Sequence, residues 1–359
     1  VTLHLDLSSF IRARIEKEGP ITIREFLTQL TKLQNEHLSY EQTPVDYSIL
    51  EEIISDWCIN FWEENGKPKN LKIILFSPKK LELIAKLFDQ LSNKAFAKSI
   101  HIYIVEPNSY FTKFQQDNLK SYLNNITWVD GFEKIQIDSV SIIIANKFFS
   151  SLPIDQYTRK KGEWLTNVVD LSPGKQHFCI THASLLNDNL QEYLNSKYPN
   201  IHEGGIVELH DEAAKLLKKI IDDIKKSGGC ILLLDYGYLE HTKRNFLSTL
   251  QATNNRRWTP IFHRLGRNFV SAHLNFSNIK NIIELQGAQA HGPIPQGSFL
   301  TNMNISEKRE RLERDLPPHK HSNLMKEYEK LTSPKQWGDL FKAMSIYTEQ
   351  IKIAGFTEV

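Results

Sequence analysis

The sequence predicts an α/β fold built on a doubly wound, mostly parallel sheet. Apolar runs at 71–76, 100–105, 140–145 and 229–235 are strand-length and dominated by apolar residues, the pattern of strands buried on both faces. Amphipathic helical stretches alternate with them, as crossover helices do in such sheets. No low-complexity linker divides the 359 residues, so one large domain with insertions is favoured over two separate domains.

Each element follows from its pattern. Phe10, Ile11 and Ile15 give a helix over 8–17, closed by Gly19-Pro20. Thr22 followed three residues later by Glu25 is a capping-box pattern, opening a helix with Phe26, Leu27, Leu30 and Leu33 as its buried stripe. Residues 35–46 read as loop, and Ile49, Leu50, Ile53, Ile54, Trp57 and Phe61 mark a helix over 47–65. After the first strand come a helix at 81–91, the second strand, a helix at 111–123, a short strand at 126–129 and the strand at 140–145. Residues 151–205 are irregular, with strands at 164–170 and 176–180, and read as an insertion on the sheet edge. A helix over 211–226 leads to the strand at 229–235. The stretch 237–305 reads as a cap over the strand ends, and 306–353 as helices punctuated by Pro317-Pro318 and Pro334.

Hydrophobic residues make up 40% and charged residues 24%, which favours a packed core over disorder. The 44 basic and 42 acidic side chains leave a net charge of +2, so net charge alone supplies no nucleic-acid footprint. Any anionic partner must use a local patch, and Asn254-Asn255-Arg256-Arg257-Trp258, which pairs cations with an aromatic ring, is one that could touch an acidic partner or RNA. The alternating charges over 308–314 read as a solvated helix face. Cys58, Cys179 and Cys230 show no metal-ligand spacing, so neither a disulfide framework nor a metal site is expected and a reducing compartment fits. No apolar run reaches the roughly 20 residues of a membrane helix.

Several peptides then fall in one order. They are Gly19-Pro20-Ile21 opening a Phe-containing helix, Ala145-Asn146-Lys147-Phe148-Phe149-Ser150-Ser151-Leu152-Pro153, Gly228-Gly229 through Asp235-Tyr236-Gly237, Thr249-Leu250-Gln251-Ala252, Ala272-His273-Leu274-Asn275-Phe276, and Gln296-Gly297-Ser298-Phe299-Leu300. In this collinearity the chain resembles the MidA family of class I S-adenosylmethionine (SAM)-dependent methyltransferases, which includes the mitochondrial arginine methyltransferase that assists respiratory complex I assembly. The resemblance implies a Rossmann-like class I methyltransferase sheet with N-terminal helices and an inserted cap region. It divides the chain into an N-terminal helical segment, 1–68, and a methyltransferase-like domain, 69–359, with insertions at about 151–205 and 238–305.

The resemblance also implies SAM as cofactor and a protein as substrate or partner, with an arginine side chain as the methyl acceptor. The family's Glu-Leu-Gly-Pro-Gly-x-Gly turn falls on Leu75-Phe76-Ser77-Pro78-Lys79-Lys80-Leu81, so its acid and three glycines are replaced. Ser77 and Pro78 are the turn's remaining cofactor candidates, and Glu106, ending the second strand, is placed to accept from ribose hydroxyls. Asn146 is expected to serve both cofactor and catalysis. Asp235 either faces a substrate pocket or holds a strand-terminal turn, and His273 is either a functional imidazole or a satisfied structural one. Lys147 and Ser150 stand where the family has Glu and Asp, and Val45 where its Thr-x-Pro-Glu loop has the acid. Gln296-Gly297 reads as a turn. A solvated loop is favoured over an anion site at Ser77, Lys79 and Lys80.

The expectation is therefore methyl transfer impaired or lost through the replaced loop, with a non-catalytic complex-assembly module on the same fold as the alternative. No nucleic acid and no membrane span are expected, homo-oligomerisation is left open, and the expected compartment is the bacterial cytoplasm or, in a eukaryote, the mitochondrial matrix.

Overall fold

A computed structural model describes residues 7–37, 48–78, 81–89, 93–239, 246–254 and 257–356. Contacts group the chain into two compact units. One comprises Val1–Leu38, Ser150–Lys215 and Glu240–Asn275, the other Ser39–Phe149, Leu216–Leu239 and Phe276–Val359.

The second unit holds the sheet that the apolar runs predict. Its strands are β1 (Leu71–Phe76), β2 (Ile100–Val105), β3 (Ile126–Val129), β4 (Ser141–Asn146), β5 (Gly229–Tyr238), β6 (Gln289–Pro295) and β7 (Phe341–Tyr347). They run in the order β3-β2-β1-β4-β5-β7-β6. Strands β1 to β5 pair in parallel, whereas β7 is antiparallel to both β5 and β6. The order in which strands are added reverses between the parallel neighbours β1 and β4, which is where doubly wound sheets open a crevice at their carboxyl edge.

Isoleucine-rich β1, β2 and β4 are buried on both faces because helices cover both. One face, carrying Ile73, Ile102, Ile142 and Leu232, packs with Ile53, Trp57 and Phe61 of the helix Ile49–Glu64 and with Leu312, Leu324 and Leu331 further along the chain. The start of β5 requires glycine. Gly229 has φ +132°, and a Cβ there would lie 2.1 Å from the Ser141 carbonyl oxygen of β4.

Two strands depart from the sequence reading. Gln289–Pro295 falls in the stretch read as cap, and Phe341–Tyr347 in the one read as helices. β6 is an edge strand interrupted by Gly292-Pro293, with a register shift between His291 and Ile294, so it carries little strand signal. β7 is a short apolar run, which periodicity does not separate from buried helix. Gln296-Gly297 is likewise no turn but the start of the helix Gln296–Asn302. There Gln296 donates to the Leu331 carbonyl at 3.1 Å, and a Cβ on Gly297 would meet the Thr332 oxygen at 2.6 Å.

The first unit shows what 151–205 builds. Instead of lengthening the parallel sheet, Asp155–Lys160, Glu163–Leu171 and Phe178–Ala183 form an antiparallel sheet with Ile21–Thr22 and Ile206–Leu209. The N-terminal helices pack on it through Ile11, Ile15, Phe26 and Leu30, which meet Ile154, Val169 and Phe178. Arg24 fixes that junction by pairing with Asp155, Asp211 and Glu212. Burial pulls the guanidinium's pKa down, but these carboxylates outweigh it and the net shift is upward. Asp155 is itself pushed up by burial against the pull of Arg24, and we take the pair as ionised because arginine does not surrender its proton.

The capping box is present as read: the Glu25 amide donates to the Thr22 hydroxyl at 3.1 Å, and the Thr22 amide to the Glu25 carboxylate at 2.8 Å. Thr22→Ala is expected to cost about 1 kcal/mol, read as a lower urea midpoint with unchanged slope.

Candidate functional site

Side chains alternate along a strand, so register decides which candidates share a face. Leu75 pairs with Ile104 and Ile144. Two residues on, Glu106 and Asn146 continue that face at the carboxyl edge, and Glu106 stays in the ladder by donating its amide to the Val129 oxygen at 2.8 Å. Asn146 pairs with Leu234, which puts Asp235 on the opposite face. The sheet thus gathers Ser77, Pro78, Glu106 and Asn146 at adjacent strand ends and separates Asp235 from them. His273 belongs to the other unit, where its amide donates to the Thr249 hydroxyl at 2.8 Å.

The turn after β1 keeps a glycine-like path without glycine. Ser77 has φ +40°, and its amide donates to the Val105 oxygen at 2.9 Å. Pro78 is held through its carbonyl by Gln115 Nε2 at 3.2 Å, while Gln115 Oε1 accepts from Trp128 at 2.9 Å. Lys79 and Lys80 lie outside the described residues, as do Thr43, Pro44 and Val45. Leu81 joins Leu75 in the hydrophobic core, at 8% and 2% exposure.

Glu106 is buried, and its carboxylate accepts from the Asn108 amide at 3.0 Å. Asn108 in turn caps the helix Ser109–Asn118 by accepting from Tyr110 and Phe111. Asn146 Oδ1 is buried without a hydrogen-bond partner among the described residues, and an orphaned acceptor of this kind asks for a donor. Asp235, fully buried, accepts from the Tyr236 amide at 3.0 Å. On its face Phe76 stacks on Phe148 with ring centroids 4.3 Å apart.

Lys147 has φ +57°, and its ammonium lies 3.8 Å from the Trp337 ring centroid and 4.7 Å from that of Phe341. Lys330 lies 3.7 Å from the same indole. Trp337, Phe341, Gln115 and Trp128 were missed by sequence reasoning. Gln115 had a signal, a polar side chain on a helix that must bury one face. Trp337 had none, because the strand it precedes was not recognised.

Fitted against the cofactor that the resemblance implies, the residues divide. Glu106 and the Asn146 oxygen suit the hydroxyl-bearing and donor groups of a nucleoside. Leu75 and Leu81 do not suit a zwitterionic amino-acid end, whose desolvation without partners costs on the order of several kcal/mol. Among the described residues, Glu106 and Asn146 thus offer polar partners to the nucleoside end of SAM, and Leu75 and Leu81 offer none to the other end. The described residues contain no cluster of His, Cys, Asp or Glu able to hold a metal and no helix long and apolar enough to cross a membrane. Burial pushes the Cys58 and Cys230 thiols up, which makes them core residues rather than nucleophiles.

A family described as "Putative S-adenosyl-L-methionine-dependent methyltransferase" matches residues 53–294. The mitochondrial protein arginine methyltransferase NDUFAF7 of Danio rerio is 25% identical over 411 residues, covering 100% of this chain and 94% of that protein. Its Homo sapiens counterpart is 21% identical, covering 94% and 82%. Two crystal structures of superfamily members from Burkholderia thailandensis superpose with TM-scores of 0.79 and 0.76 at 18% and 16% identity. Each covers 98% of this chain, with 94% and 92% of their own chains covered, and the second is bound to S-adenosyl-homocysteine. At such identity the likeness establishes the fold, a Rossmann-like class I methyltransferase sheet.

Proposed function

The chain belongs to the S-adenosyl-L-methionine-dependent methyltransferase family that matches residues 53–294, and from that premise we propose that it keeps the fold as a protein-binding module in complex assembly while methyl transfer is impaired or lost. One observation carries this reading: Leu75 and Leu81 are packed into the core on the face that bears Glu106 and Asn146. Transfer requires the cofactor's sulfonium to be held in line with the acceptor, and its amino-acid end is the handle that fixes it. Apolar side chains supply no such handle.

The acceptor side supports the same reading. A substrate guanidinium, protonated below about pH 12, needs nearby acids to hold it and draw its proton. Here Lys147 puts a cation, braced on Trp337 and Phe341, beside Asn146. Asp235 lies on the other face of the sheet. The name of the relatives, protein arginine methyltransferase, supports a protein as the partner, and their mitochondrial location supports the matrix for a eukaryotic source.

The orphaned Asn146 oxygen favours a second reading, in which the nucleoside end still binds and only transfer is gone. Incubation with methyl-tritiated SAM and an arginine-rich acceptor protein is expected to leave no label above a heat-inactivated control. Label incorporation that Glu106→Ala abolishes would overturn the loss of transfer.

A further inference from the structure

Acidic residues are spread through this chain, yet none occurs between His241 and Asn275, where a chain with 42 acids in 359 residues would place about four. The same stretch carries Lys or Arg at 243, 244, 256, 257, 264 and 267. The fold concentrates part of this charge. Gln251–Asn254 pairs with Arg257–Thr259 on one side and Phe269–Ser271 on the other, so Asn254 stands directly across from Arg257. The Asn254 amide reaches the Arg267 carbonyl at 3.0 Å and Asn268 Oδ1 at 3.1 Å. Buried Asn268 donates to the His263 carbonyl, and the Arg267 amide to that of Arg264 at 3.0 Å. These bonds draw Arg257, Arg264 and Arg267 to one end of the small sheet. All three are exposed, and no carboxylate pairs with them among the described residues. Beside them Trp258 is 73% exposed.

We infer that this end of the sheet docks an acidic, extended segment of a partner protein, added as a strand along Arg257–Thr259. Three features select that occupant. The strand pairs on one side only among the described residues, which leaves an edge for backbone hydrogen bonds. Unpaired guanidinium groups are complementary to carboxylates, with bidentate geometry available. A single exposed indole suits one apolar side chain of the added strand, whereas single-stranded RNA binds across platforms of several stacking rings. The inference deepens the protein-binding reading and rests on it, but its test makes no use of SAM, so either can fail alone.

The probe is a fluorescein-labelled dodecapeptide of alternating Glu and Val, titrated with the full chain at 50 mM salt and followed by anisotropy. Micromolar binding is expected, weakened at least tenfold by Trp258→Ala and by the pair Arg257→Glu and Arg267→Glu, and kept by Arg257→Lys. Circular dichroism melts confirm that each variant is folded. A version N-methylated on every second residue should lose at least fivefold, because the edge bonds are blocked. Binding no tighter than to an alternating Ser-Gly peptide, equal binding of the N-methylated version, or tighter binding of a uridine dodecanucleotide through the same arginines would each overturn the inference.

Discussion

Lowering the pH from 7 to 4 is expected to remove about 3 kcal/mol of folding stability through His210 alone. His210 links the strand Ile206–Leu209 to the helix Asp211–Ser227, and its Nε2 is sealed from solvent without a hydrogen-bond partner among the described residues. Burial lowers its pKa to about 4, with Asp211 pulling it up and His273 pushing it further down. The folded state therefore prefers the neutral ring. The stability this supplies is full above the unfolded value near 6.5 and is lost as pH falls toward 4. Urea midpoints of the wild type and His210→Gln, taken at pH 7 and pH 4.5, isolate this contribution from that of the carboxylates. The variant should gain on the wild type by 2 kcal/mol or more, by order of magnitude, as the pH drops, and parallel profiles would contradict the assignment.

The second large effect lies two residues earlier in the chain and has the opposite sign. Glu208 is buried and accepts from the Thr249 amide at 2.9 Å, Gln156 Nε2 at 2.7 Å and the Thr249 hydroxyl. Burial pushes its carboxyl up against these bonds. Its contribution is full below the ordinary glutamate value and declines as pH rises through the raised one. Glu208→Ala leaves several donors buried and unanswered and should cost about 3 kcal/mol. Glu208→Gln keeps an acceptor, offers the Thr249 hydroxyl a donor and removes the ionisation, so at pH 7 it should stay within about 1 kcal/mol of the wild type. Equal losses from both variants would show that shape rather than hydrogen bonding is at stake.

Glu208 and His210 sit beside two peptides that carried the family resemblance, Thr249-Leu250-Gln251-Ala252 and Ala272-His273-Leu274-Asn275-Phe276. Thr249 joins them, being bonded to Glu208 and to the His273 amide. The sequence singled out both motifs, but it offered no way to see that they meet, because the groups concerned are 24 residues or more apart and the tie runs through a single hydroxyl.

The central sheet was the most legible part. β1, β2 and β4 announce themselves because strands buried on both faces are apolar at most positions of either face. The edge strand β6 and the reversed β7 did not, since one carries Gly292-Pro293 and the other is too short for periodicity to decide. In the candidate site, the placement of Glu106 and Asn146 at the carboxyl ends of their strands could be read from the sequence. The separation of Asp235 from them could not, because it depends on register across β4 and β5. The role of Leu81 was half legible: its bulk in place of glycine is visible in the sequence, but its burial with Leu75 in the core appears only once the turn is folded.

The proposal that methyl transfer is impaired or lost because Leu75 and Leu81 offer the cofactor's amino-acid end no polar partner is tested most directly by isothermal titration of the full chain with SAM and with S-adenosyl-homocysteine. The packing of Leu75 and Leu81 predicts no saturable heat for either at millimolar ligand. Micromolar binding of either, abolished by Glu106→Ala, would contradict it.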